Sequence, residues 1–128
     1  RKYEMIRRIA PRCWPLPTKW TRSVRGDIYR LRSDRRAQGH EQRGARYAVV
    51  VQSDYVNLST LLVAPTSTSA RATEFRPTIT IDGTETRVLV EQTAAVNPET
   101  RLGDFVGRLD AAERAELDRA LQIVFGLF

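Results

Sequence analysis

At 128 residues the chain is long enough for a single domain with its own hydrophobic core. Its apolar share of 41% is ordinary for a soluble protein, and no apolar run approaches the roughly 20 residues that span a bilayer. One cysteine (Cys13) and one histidine (His40) exclude an internal disulfide and the usual zinc clusters, so a reducing, cytoplasmic setting with no metal and no cofactor is expected. The net charge of +6 is concentrated at the start: residues 1–22 hold seven basic side chains against one acidic, leaving fourteen of each sign in residues 23–128. A generally basic nucleic-acid binder is therefore not indicated, but residues 25–46 carry seven arginines against three acids and form a local positive patch.

Residues 1–22 hold Pro11, Pro15, Pro17, Trp14 and Trp20 with no sustained period, and read as a basic extension or arm in which Tyr3–Ile9 has room for one or two helical turns. Residues 23–128 read as the domain. Asp27–Arg32 alternates as a strand, and Ser33–Ala45 is a long polar loop of the kind that often carries function in a small domain. Arg46–Gln52 contains the buried β run Tyr47–Val51, and Leu61–Ala64 is a short strand that Pro65 should stop. Ser67–Thr73 is a polar loop. Thr78–Val90 reads as a hairpin, because Asp82-Gly83 suits a turn with positive φ at both central residues.

A further strand ends at Val96, Asn97-Pro98 opens a turn or short helix, and Asp104–Leu109 gives a last strand. The chain then predicts a helix with Asp110 as N-cap and Glu113 completing a capping box. Its apolar face is Leu117, Ala120, Leu121 and Val124, and Gly126 ends it. Many short strands and one terminal helix predict a mainly β fold, a small barrel with a helix laid on it.

The chemistry on offer is anionic recognition. There is no Walker loop, no dinucleotide-binding glycine pattern, no metal-ligand cluster and no nucleophile elbow. Arg46 stands where the polar loop enters a strand, and its planar, permanently charged fork suits a phosphodiester. As a lone arginine it serves a surface ion pair equally well. Thr66, Ser67 and Thr68 place three hydroxyls at the end of another strand, either to donate to phosphate oxygens or to cap their own turn. Glu41 and His40 are candidate acid–base groups in the loop.

Taken together these stretches resemble the MazF/PemK family of toxin endoribonucleases. The resemblance rests on five blocks in order. RGDIY at Arg25–Tyr29 is similar to the family's opening strand, and GHEQRGARYAVVVQSD at Gly39–Asp54 to its GSEQ-x-G-x-RPVVVVSND block. VAPTST at Val63–Thr68 is similar to VVPLTS, and RVLVEQTAAV at Arg87–Val96 to SVVLLDQIRTI. The segment from Arg101 onwards resembles the closing strand and helix.

The resemblance implies an SH3-like small β-barrel of the MazF/CcdB-like type that forms a homodimer and is neutralised by a MazE-like antitoxin. It implies metal-independent, sequence-specific cleavage of single-stranded RNA, in which the RNA's own 2′-hydroxyl attacks and leaves 2′,3′-cyclic phosphate and 5′-hydroxyl ends. The family's catalytic arginine falls on Arg46, its hydroxyl after the proline on Ser67, and its loop glutamate on Glu41; His40 stands beside it as a second acid–base candidate. Arg35, Arg36, Gln42, Arg43, Thr66 and Thr68 would hold the RNA. Three positions depart from the family pattern: Ser67 for threonine, Tyr47 for the proline after the arginine, and His40 for serine. Two other readings stand beside this one: a non-enzymatic CcdB-like toxin that binds DNA gyrase, and an inactive relative that binds RNA or antitoxin without cutting.

Overall fold

A computed structural model describes residues 23–33 and 46–127. The N-terminal extension with its Tyr3–Ile9 turn, most of the polar loop after β1, and with it Arg35, Arg36, His40, Glu41, Gln42 and Arg43, lie outside the described residues. The strands are β1 (Asp27–Leu31), β2 (Arg46–Val50), β3 (Leu61–Ser67), β4 (Thr78–Ile81), β5 (Thr84–Val88), β6 (Ala94–Val96) and β7 (Leu102–Arg108). A one-turn helix α1 (Pro98–Arg101) joins β6 to β7, and the long helix α2 (Ala111–Phe125) ends the chain.

Every pairing is antiparallel, in the order β4-β5-β3-β2-β1-β7, with β6 also on β3. Because β6 pairs β3 and β7 pairs β1, the chain between them bends back and the sheet curls into a half-barrel. The mainly β architecture with a C-terminal helix is the one the sequence predicts.

Strand alternation divides the interior in two. One cluster gathers Ile28, Val49, Ala64, Ile79, Ile81 and Val88 with Leu117 and Ala120 of α2. The other gathers Tyr29, Ala48, Val50, Leu61, Val63, Val96 and Leu102 on the opposite face of the same strands. Burial on both faces explains why Tyr47–Val51 reads as a continuous apolar run and not as an alternation.

Pro65 does not stop its strand, contrary to the sequence expectation: β3 runs to Ser67. The reason is a change of partner. Before Pro65, β3 pairs β6 at Leu61–Val63; after it, β5 at Thr66 and Ser67. Pro65 sits at the junction, where no N–H is required, and its carbonyl accepts from the Leu89 N–H at 2.8 Å. Strand β7 also begins earlier than expected, at Leu102, directly on the end of α1.

The terminal helix is specified locally. Asp110 accepts from the Glu113 N–H at 2.7 Å and Glu113 Oε1 accepts from the Asp110 N–H at 3.0 Å, the reciprocal capping box. Glu113 Oε2 also accepts from the Thr80 N–H at 3.0 Å, which ties the helix start to the edge strand β4 and covers one of its open donors. Gly126 closes the helix in the left-handed region at φ 68°.

Candidate functional site

The strand-opening RGDIY stretch is a structural clasp. Arg25 donates through Nε to the Val51 carbonyl at 3.2 Å and pairs with Asp118 of α2, while its own N–H reaches Asp54 at 3.0 Å. Gly26 sits at φ 97° with the Arg114 guanidinium 3.3 Å from where a Cβ would stand. Asp27 is buried and accepts from the Val24 N–H at 3.0 Å and from Arg108 Nε at 2.8 Å. These groups fix β1 against α2 and β7, and so fix the strand beside which β2 lies.

Arg46 opens β2 and pairs with Leu31 of β1. Its backbone is therefore held by the sheet at the first position after the polar loop. The guanidinium Nε is buried and has no hydrogen-bond partner among the described residues. A buried N–H donor without a partner costs free energy, on the order of 1–3 kcal/mol, unless a ligand or water satisfies it.

Across from it, β2 and β3 pair at Ala48–Pro65, and continuing that register by two residues sets Arg46 opposite Ser67. The two strands part here, and Thr66 fills the gap: its Oγ1 accepts from the Tyr47 N–H and donates to the Tyr47 carbonyl, both at 3.3 Å. Thr66 is 2% exposed and pairs with Val88, so it stands on the helix-covered side of the sheet and serves the backbone. Ser67 alternates to the other side, the side of Arg46. Its Oγ accepts from the Ser69 N–H at 3.2 Å and the Ala70 N–H at 3.1 Å, which turns the chain away from the strand end. Thr68 is exposed immediately beyond.

The arrangement brings Arg46, Ser67 and Thr68 to one end of neighbouring strands and sends Thr66 to the opposite face. Sequence reasoning missed one further cation. Ser67 pairs with Arg87 of β5, which in turn pairs with Thr78 of β4. Directly paired residues share a face, so Leu31, Arg46, Ser67, Arg87 and Thr78 form one row across five strands. The signal was present in the hairpin: Asp82-Gly83 fixes Thr78 opposite Arg87, and alternation with the buried Val88 turns Arg87 to the face away from α2.

The charges are distributed unevenly along the described arginines. Arg25 pairs with Asp118, Arg108 with Asp27, and Arg76 with Glu91 through two nitrogens at 2.5 and 2.8 Å. Arg46 and Arg87, which flank Ser67, have no carboxylate partner among the described residues. The row thus sets Ser67, 3% exposed with its hydroxyl bonded to the Ser69 and Ala70 N–H groups, between two guanidinium groups that have no carboxylate partner among the described residues, an arrangement of charge that attracts phosphate. Among the described residues, no group of three or more His, Cys, Asp or Glu is placed to hold a metal ion, and no helix is long and apolar enough to cross a membrane.

Comparison with known proteins places this row in context. The family model described as PemK-like, MazF-like toxin of type II toxin–antitoxin system matches residues 24–125. A Mycobacterium tuberculosis H37Rv protein named as a "putative toxin" is 40% identical over 104 residues, covering 81% of this chain and 98% of that one. Among solved structures, an endoribonuclease in complex with its cognate antitoxin from a mycobacterial species superposes with a TM-score of 0.66 at 19% identity, over 83% of this chain and 97% of that one. The M. tuberculosis toxin MazF-mt6 gives 0.63 at 20% identity, over 78% and 96%. MazF from Deinococcus radiodurans gives 0.63 at 21% identity, over 80% and 94%. At these identities the structural likeness is one of fold.

Proposed function

The chain belongs to the PemK-like, MazF-like toxins of type II toxin–antitoxin systems, and from that premise we propose that it is a metal-independent endoribonuclease cutting single-stranded RNA. The observation that carries this reading is Arg46: a guanidinium at a strand start, without a carboxylate among the described residues, with a buried and unsatisfied Nε, at the end of β2 where the register continued from Ala48–Pro65 meets Ser67. Such a cation is preorganised for charge that develops on a phosphorus centre, because it needs no reorientation when the charge appears.

In the reaction the 2′-oxygen of the RNA forms a bond to the adjacent phosphorus as the bond to the 5′-oxygen breaks. The proton leaves the 2′-hydroxyl to a base, Glu41 or His40, and the departing 5′-oxygen takes up a proton from Arg46, which regains one from water. Arg46 stabilises the negative charge on the phosphorane and on the leaving oxygen, and Ser67 orients the phosphate. Arg35, Arg36, Gln42, Arg43 and Thr68 hold the flanking RNA backbone. Thr66, turned to the Tyr47 backbone, keeps β2 and β3 at the spacing that sets Arg46 against Ser67. The protein acts as a homodimer and is held inactive by a MazE-like antitoxin; the antitoxin reading is supported by the similar mycobacterial endoribonuclease solved in complex with its cognate antitoxin.

The test is incubation of the purified protein with long single-stranded RNA in EDTA, followed by end-group analysis. Discrete cuts with 2′,3′-cyclic phosphate and 5′-hydroxyl ends are expected, and Arg46→Ala should lower the rate by a factor of about 100 or more, the order seen when one preorganised charge-stabilising group is removed. Wild-type rates in both Arg46→Ala and Ser67→Ala overturn the reading. Inhibition of DNA gyrase supercoiling without RNA cleavage assigns the chain to the gyrase-binding alternative.

A further inference from the structure

The cross-strand row extends past the residues that the proposed chemistry uses. Arg87 lies beyond Ser67 on β5, on the same face of the sheet as Arg46, and its guanidinium donates from Nη1 to Thr78 Oγ1 at 2.8 Å. That bond holds one nitrogen and leaves the rest of the fork with no other partner among the described residues. Glu85, two residues away on the same face, makes no ion pair with it. The contrast with Arg76 is informative. Arg76 stands on the loop leading to the same hairpin and is paired with Glu91, whereas Arg87, partly buried in the sheet, has no carboxylate partner among the described residues.

We propose that Arg87 binds the phosphate of the nucleotide next to the scissile one, so that the single strand crosses the sheet along the row from Arg46 over Ser67 to Arg87. This rests on the RNA-cleaving reading above. Paired strands lie about 4.7–4.9 Å apart, so Arg46 and Arg87, two strands apart with β3 between them, are separated at their backbones by roughly 10 Å or more, β2 and β3 parting at this end. Arginine side chains are long enough for their guanidinium groups to meet neighbouring phosphates of one strand across that span. The clasp from Thr78 fixes the arginine stem in advance, which lowers the entropy lost when the fork engages an anion. Arg87 is thus a substrate-holding residue that acts on affinity, and Arg46 is the residue that acts on the chemical step.

The experiment compares the wild type with Arg87→Gln, Arg87→Lys and Thr78→Val. A mixed-sequence, single-stranded 2′-O-methyl RNA, which lacks the attacking hydroxyl, is the binding probe over a salt series, and natural RNA is the substrate for kinetics. For Arg87→Gln the proposal expects binding weakened roughly tenfold or more. It also expects the slope of log affinity against log salt to fall by about 0.7, the contribution of one phosphate on a single strand. KM should rise while kcat stays within about twofold. Arg87→Lys, which keeps the charge, should retain most of the salt slope.

If the wild type binds and cleaves RNA but Arg87→Gln leaves the salt slope unchanged, the inference is overturned and the nuclease reading stands. If Thr78→Val reproduces the whole loss of Arg87→Gln with an equal fall in thermal stability, Arg87 is a strut of the hairpin and the inference is likewise overturned. If the wild type neither binds nor cleaves RNA, the nuclease reading falls and takes this proposal with it.

Discussion

Tyr29 shows how a single side chain couples the sheet to pH. Its ring is 4% exposed, its hydroxyl is 2.9 Å from Ser23 Oγ, and Phe105 packs edge-on against it with ring centres 5.6 Å apart. Burial pushes the phenol above its ordinary value of about 10, the nearby Asp27 carboxylate adds to the rise, and the Ser23 hydrogen bond and Arg108 oppose it. The folded state therefore keeps the Tyr29 proton when the unfolded chain gives it up. The stability from this group is complete below the unfolded value near 10 and is lost as pH climbs through the higher folded value. Urea unfolding midpoints measured from about pH 8 to about pH 11 should fall more steeply in the wild type than in Tyr29→Phe, which keeps the ring and cannot ionise. Parallel curves for the two proteins would show that Tyr29 ionises freely in the fold.

At the scale of elements, the β4–β5 hairpin was legible because two residues dictate it. Asp82 at φ 49° and Gly83 at φ 78° make the turn with positive φ at both central positions that the Asp-Gly pair predicts. Gly83 and Gly107 both have open space where a Cβ would stand, yet only Gly83 has positive φ. Gly83→Ala should cost about 1–2 kcal/mol through backbone strain alone, and Gly107→Ala in β7 should stay within about 0.5 kcal/mol of the wild type. Equal effects in chemical denaturation would mean that the turn relaxes to another type. The same locality explains why Asp110, Glu113 and Gly126 were readable: each acts on its own helix terminus.

What was not readable depends on partners distant in sequence. Pro65 looks like a stop until β6 and β5 are known to share β3 on either side of it. Thr66 and Ser67 look equivalent as adjacent hydroxyls, and only the Val88 and Arg87 pairings separate a backbone-serving side chain from one on the Arg46 face. Arg87 itself entered the sequence reading as a strand residue. Its place beside Ser67 requires the register of two strands separated by the whole β3–β4 loop.

For the molecule as a whole, the relevant fact is that two clusters share one sheet. Val49 contributes to the cluster under α2, while Ala48 and Val50, its neighbours on the same strand, contribute to the cluster inside the curl. Neither side can be lost without exposing the strands that carry the other, so helix and half-barrel should unfold together. Leu117 of α2 and Leu102 at the start of β7 are each fully buried, in the first and second cluster respectively. Truncating either to alanine should cost about 2–5 kcal/mol, the range for a buried leucine that leaves a cavity. Because the two clusters have no member in common, the double variant should lose the sum to within about 0.5 kcal/mol. Far-ultraviolet and near-ultraviolet circular dichroism should still report one coincident transition in both single variants. A helix signal that melts ahead of the aromatic signal in Leu117→Ala would contradict the coupling. It would also leave Arg46 and Ser67, which sit on the sheet, without the clasp that Arg25 makes to α2.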